Sequence, residues 1–212
     1  MKVTKRFLIR IIREEIKRTL LTEVAEGPQN LPPNVKIVID ASPRRAHIYY
    51  VTMKDDGSQK YEGLGEIIIL VTGRPSTGPC SSAWRVVDSR AEHGWGPMLY
   101  DVTMEWATLN GGGLVSDRET VSPEARKVWD YYLRDRSDVE NYQLDNLKNV
   151  LTPEIEEDNC SQRAAGWDDN AIDPRDIETD WIASALSKLY TKTPTTMDAL
   201  DATGQLHVIN LR

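Results

Sequence analysis

Cysteine is scarce in this sequence. Cys80 and Cys160 stand far apart with no Cys-x-x-Cys spacing, which excludes a disulfide framework and fits a reducing compartment. Long apolar runs are missing too. None approaches the roughly 20 residues that a membrane-spanning helix needs, and charges interrupt every candidate signal-peptide core. The expected protein is neither secreted nor transmembrane, and its default compartment is a cytoplasm. Basic charge is in deficit, with a formal net charge of -7, which argues against general nucleic-acid binding. His47, His93 and His207 are scattered, without a helical His-x-x-x-His pair or cysteine partners, so no metal site is expected. The run Asp168-Asp169-Asn170-Ala171-Ile172-Asp173 lacks the glycine and spacing of an EF-hand loop. A Walker-type Gly-Lys-Ser/Thr is absent, which excludes a P-loop NTPase. No Gly-x-Ser-x-Gly elbow accompanies Ser81 and Ser82.

What is present suffices for a core. Forty per cent of the 212 residues are hydrophobic and six are tryptophan, enough for one full-sized domain with appendages. Charge is unevenly spread. Residues 1–20 carry seven Lys or Arg against Glu14 and Glu15, a net of +5. Thr4 is placed to cap a helix over 5–21, with Phe7, Leu8, Ile11, Ile12, Leu20 and Leu21 near one face. The Gly27-Pro28 to Pro32-Pro33 stretch then reads as a linker.

From Val35 the period changes. Val35, Ile37 and Ile39 alternate with Lys36, Val38 and Asp40, and strands are expected there, over Ala46 to Met53 and over Glu66 to Thr72. A fourth, Ala83 to Ser89, precedes Gly94-Trp95-Gly96-Pro97. Leu99, Val102, Trp106 and Leu109 share the face of a helix over 98–109, which Gly111-Gly112-Gly113 ends before a short strand at Leu114-Val115-Ser116. Ser122 as cap and Pro123 at the first helical position open another helix, with Ala125, Val128, Trp129 and Tyr132 as its stripe. The order predicts an α/β (α+β) fold, a mixed sheet flanked by helices with a parallel pair near the glycine turn. A further helical stretch is expected over 144–151, then an acidic tail. The expected organisation is a basic helical arm (1–24), a linker (25–34), the α/β domain (35–142) and an acidic C-terminal extension (143–212) wrapping the domain or a partner.

A strand that runs through a glycine turn into a helix aims several backbone N–H groups one way, and the helix dipole adds positive charge there. The Gly94 turn is therefore the candidate anion site. The run Trp84-Arg85-Val86-Val87-Asp88-Ser89-Arg90-Ala91-Glu92-His93-Gly94-Trp95-Gly96-Pro97-Met98-Leu99-Tyr100 resembles the central motif of the GNAT superfamily, the acetyl-CoA-dependent N-acetyltransferases. In that family a strand leads into Gln/Arg-x-x-Gly-x-Gly/Ala, whose amides cradle the CoA pyrophosphate. Gly94 and Gly96 match its two small positions, and Ser122 to Tyr132 resembles the following helix. Ala91 stands at the Gln/Arg position, with Arg90 one residue earlier. Trp129 stands where the family has the tyrosine that protonates the departing thiolate, and Tyr132 lies one turn further.

The resemblance implies acetyl-CoA as cofactor. Its pyrophosphate would lie over Gly94, Trp95, Gly96 and Met98 with Arg90 in reach, and its pantetheine beside Val86 and Val87 like an added strand. Glu92 or Asp88 would accept the amine proton, and Tyr132 would be the acid. Met1-Lys2-Val3-Thr4-Lys5, with Ile11-Ile12-Arg13-Glu14-Glu15, also resembles leaders on proteins of tailed bacteriophages. Leu21-Thr22-Glu23 has the Leu-x-Glu form after which packaged phage proteins are cut. Two functions follow as expectations. The favoured one is a virion-associated structural protein on a catalytically degenerate GNAT-like fold, motivated by Trp129, Ala91 and the long appendages. It would reside in the infected host's cytoplasm or the virion, contacting particle proteins or further copies of itself through 1–24 and 143–212. The alternative is an acetyl-CoA-dependent N-acetyltransferase acting on an amine.

Overall fold

In this computed structural model, residues 27–61, 63–71, 82–116, 121–144 and 182–210 are described. The expected helical arm over 5–21, the helical stretch beyond Leu144, the acidic tail over 154–180 and both cysteines lie outside the described residues. A 3-10 turn at Pro28–Asn30 leads into β1 (Val35–Ala41), whose alternating Ile37 and Ile39 are wholly buried. Ser42 closes a tight turn to β2 (Arg45–Met53), its N–H donating to Arg45 O at 2.8 Å. The remaining elements are β3 (Gln59–Lys60), β4 (Gly65–Val71), β5 (Trp84–Ala91), α1 (Gly96–Leu109), β6 (Leu114–Val115), α2 (Pro123–Arg134), β7 (Val139–Gln143), a 3-10 turn at Ala185–Ser187, β8 (Lys188–Lys192), α3 (Thr195–Ala202) and β9 (Leu206–Asn210).

All nine strands join one curled mixed sheet in the order β7-β8-β6-β5-β4-β2-β1-β9, with β3 paired to β2. Neighbours are antiparallel except two pairs, β5 with β6 and β1 with β9. Lys188–Lys192 and Leu206–Asn210, which the sequence reading puts in the C-terminal extension, are strands of this sheet. β8 slots between β6 and β7, and β9 forms the edge beside β1.

The two expected helices begin close to their sequence signals. Ser122 Oγ accepts the Ala125 N–H at 3.2 Å and so caps α2, which has Pro123 in its first turn. α1 is buried on nearly every side, from Met98 and Leu99 through Val102 and Met104 to Trp106 and Ala107. Leu109, in the last turn of the helix, departs from the expected stripe: it is 59% exposed.

Glu105 is the polar exception within α1. Its fully buried carboxylate accepts the N–H groups of Thr196 at 2.8 Å and Met197 at 2.6 Å, and it pairs with Lys192 Nζ. It thereby caps α3 from another helix, since α3 has no side-chain cap of its own. The charges continue outward. Lys192 lies 3.7 Å from Asp138, and Arg136 bridges Asp138 at 2.7 Å to Asp101 at 3.0 Å.

Candidate functional site

β5 carries two irregularities that follow from its neighbours. Against β4 the register runs Ile68 to Asp88 and then Ile69 to Val86, so Val87 is an extra residue, a β-bulge. A bulge bends its strand and leaves one residue out of the ladder. On the other edge, β5 pairs with parallel β6 at only two positions, Trp84–Leu114 and Arg85–Val115. Just past β6, the Ser116 hydroxyl donates to Leu186 O at 3.3 Å, which ties the chain to the β8 side. From Val86 to Ala91 this edge of β5 therefore has no strand partner among the described residues. Such backbone groups need a partner, either water or an extended guest.

The strand ends in a tight turn. Glu92 N–H donates to Leu64 O at 2.9 Å, and Trp95 N–H donates back to Glu92 O at 3.1 Å. Gly94 sits at φ +87°, a left-handed conformation that disfavours any residue with a Cβ. Trp95 is an anchor, not an open lip. Its indole is 7% exposed, packs edge-on against Tyr50 at 4.9 Å, and its carbonyl accepts the Tyr50 hydroxyl at 2.9 Å. α1 starts immediately afterwards with no side-chain cap, and Pro97 has no N–H to offer. The first amides of a helix lack intrahelical partners, so those of Gly96 and Met98 are the donors this turn presents to an anion.

The predicted site residues do not all converge. Val86 is buried on the α1 side of the sheet, and Val87 is the bulge. Arg90 is 71% exposed and spends its guanidinium on Asp88 at 2.7 Å and Glu66 at 3.4 Å. Glu92 is exposed on the turn. His47 also pairs with Glu66, at 2.7 Å, beneath the ring of Tyr49. Tyr132 is fully buried. Its hydroxyl lies 2.6 Å from Asp101 Oδ1 and 3.0 Å from Pro97 O, so its one proton goes to the carboxylate. Burial, reinforced by Asp101, holds that phenol well above its ordinary pKa. Trp129 is 1% exposed, with its ring between Tyr100 and Tyr190 at 5.5 and 5.1 Å.

One pair escaped the sequence reading. The Tyr100 hydroxyl donates to Ser89 Oγ at 3.0 Å, joining α1 to the second half of β5. Both lie in the run that resembles the GNAT central motif, but that resemblance gives neither of them a role. Tyr100 adjoins the apolar stripe of α1 without fitting its spacing, and no local pattern could have paired it with Ser89.

A cavity of about 690 Å³ opens beside the start of α1, lined by Pro97, Met98, Asp101, Lys127, Tyr132 and Arg136 among others. Of the predicted site residues only Met98 and Tyr132 reach it. Arg136 is not free to grip a ligand there, because it holds both Asp138 and Asp101 in two-pronged contacts. Among the described residues no cluster of His, Cys, Asp and Glu is arranged to hold a metal ion, and no helix is long and apolar enough to cross a membrane. Comparison of the chain with models of known families, with curated proteins and with solved structures finds no match.

Proposed function

We propose that this protein binds acetyl-CoA along the fork between β5 and β6 and transfers the acetyl group to an amine. One observation carries the reading: a bulged strand, whose β6-side edge has no strand partner from Val86 to Ala91 among the described residues, runs into a left-handed glycine and an uncapped helix start. The two ends of that feature suit the two ends of the ligand. The pantetheine arm is an extended chain with amide donors and acceptors, and a free strand edge offers their complements beside Val86 and Val87. The pyrophosphate is an anion, and the Gly96 and Met98 amides at the positive end of α1 suit it. The GNAT resemblance supports the same reading, because strand, glycine turn, helix and parallel strand adjoin in space as they do in sequence.

The chain's own residues would bring the reactants together and move protons. The strand edge would hold the thioester still while an amine attacks, which removes the entropic cost of their meeting. Glu92, exposed beside the turn, would take up the proton that the amine loses. Arg90 would contribute little, since Asp88 and Glu66 already claim it.

A second reading has its own support. Trp129 is sealed in the core and Tyr132 gives its proton to Asp101, so neither of these two positions on α2 offers an acid to a departing thiolate. That favours a phage particle protein on a degenerate acetyltransferase-like scaffold. One titration separates the two. Isothermal calorimetry of the full chain with acetyl-CoA is expected to give a saturable heat with one site per chain. No heat at millimolar ligand would remove the enzyme and leave the scaffold.

A further inference from the structure

β8 has a lysine at each end, and the two are held differently. Lys192 is 3% exposed, and its ammonium meets three acceptors: the Glu105 carboxylate, Thr195 Oγ1 at 3.1 Å and Thr196 Oγ1 at 3.0 Å. One acceptor for each N–H, one of them an anion, is what a buried ammonium requires. Lys188 is 8% exposed and meets two acceptors, Gln143 Oε1 and Ile182 O at 2.8 Å, both uncharged. Gln143 is fixed in that orientation, because its NH2 group donates to Leu144 O at 2.9 Å and to Ser187 Oγ at 3.2 Å. No carboxylate among the described residues pairs with Lys188. The titratable groups on the elements around it are engaged elsewhere. On β7, Asp138 holds Arg136 and Glu140 accepts the Tyr142 hydroxyl at 2.8 Å. On β8 the Tyr190 hydroxyl donates to Ala185 O at 2.6 Å, and on α2 Asp130 faces Arg134 at 3.8 Å.

A neutral amine suits these surroundings and an ammonium does not. The two N–H groups of the amine match the two acceptors and leave the nitrogen lone pair free. The ammonium would bury a charge with its third N–H unanswered. Burial accordingly lowers the Lys188 pKa. We infer that Lys188 is an acylation site of this chain, its amine taking the acyl group of a small thioester. The nitrogen lone pair bonds to the acyl carbon, and the carbon–sulfur bond breaks with its electron pair on sulfur. The nitrogen sheds one proton, which passes through water to the thiolate. The amide product keeps one N–H for Gln143 or Ile182 and is uncharged, as the site requires. Ile182, whose carbonyl meets the amine, is itself 48% exposed, so the nitrogen lies close beneath the surface. None of this depends on CoA occupying the fork.

The test uses the full chain and N,S-diacetylcysteamine, a thioester without the CoA nucleotide. Acetylation of each lysine is followed by peptide mass spectrometry over a range of pH. At neutral pH Lys188 should gain its acetyl group several-fold faster than the exposed Lys54 and Lys127, and its rate should level off at lower pH than theirs. Gln143→Glu sets a carboxylate against the amine and favours the ammonium, so acetylation of Lys188 should slow to the rate of the exposed lysines or below it. Lys188 left unmodified at neutral pH, or modified only with the pH dependence of Lys54 and Lys127, would overturn the inference. So would a Gln143→Glu chain, folded by circular dichroism, that reacts at the wild-type rate. The wild-type profile decides alone if that variant does not fold. Because the probe lacks the nucleotide, the result is independent of the calorimetry with acetyl-CoA, and either reading can fail without the other.

Discussion

Two glycines two residues apart in the turn after β5 do different work. Gly94 is required by its backbone, at φ +87°. Alanine there is expected to cost about 1–2 kcal/mol, the usual penalty for an L-residue in the left-handed region, read as a lower urea midpoint. Gly96 has no such constraint. A methyl group added to it would meet Ala91 Cβ at 3.7 Å, an ordinary contact. Gly96→Ala should therefore melt at or above the wild-type temperature, since alanine also suits a helix better. If the Gly96 amide faces the pyrophosphate, the added methyl group should hold the phosphate off that N–H and weaken CoA binding about tenfold, roughly the worth of one charge-assisted hydrogen bond. Unchanged affinity would mean that no ligand approaches this backbone. The sequence could name both glycines as special because a strand–Gly-x-Gly–helix pattern is local. It could not rank them, because the ranking depends on a dihedral angle and on the distance to Ala91.

At the scale of elements, α3 is the clearest case of a helix held from outside. Eight residues are too few to be stable alone in water, and no side chain of its own caps it. Glu105 of α1 supplies the cap from 91 and 92 positions away in the chain, while Lys192 of β8 neutralises it in the buried interior. Glu105→Gln removes the counter-charge of a lysine that is 3% exposed. Breaking a buried pair from one side typically costs about 3–5 kcal/mol, so chemical denaturation should register a loss of that order. Adding Lys192→Met to Glu105→Gln should restore part of it, because the uncompensated charge is then gone. A double variant no more stable than Glu105→Gln alone would show that the hydrogen bonds to α3, not the ion pair, carry the cost. α2 presents the opposite case. Its Ser122 cap and Pro123 lie beside each other in the chain, and its start was legible without any tertiary information.

Across the whole molecule, the ion-pair chain from Asp101 through Arg136 to Asp138 ties the β7–β8 edge of the sheet to the central helix. The hydrogen bonds from Arg136 hold the Asp138 carboxyl down to about 2, against an ordinary 3.8. A carboxyl lowered on folding stabilises the folded state above its unfolded pKa, and that contribution is lost as pH falls through the folded value. The melting temperature of Asp138→Asn should thus lie below wild type at neutral pH. The gap should close as pH drops from about 4 toward about 2. A gap that persists at the acid end would assign the effect to packing. What the sequence determined by itself was the material of the fold: strand and helix segments with their caps and turns, each written in neighbours a few residues apart. Only the tertiary structure decided that Lys188–Lys192 and Leu206–Asn210 complete the sheet, that β5 bulges at Val87 and pairs with β6 at only two described positions, and that Tyr100, not Tyr132, gives its hydroxyl proton to Ser89 of β5. Those outcomes depend on contacts between residues distant in the chain. Periodicity reports which face of an element is apolar, but not which other element will cover it.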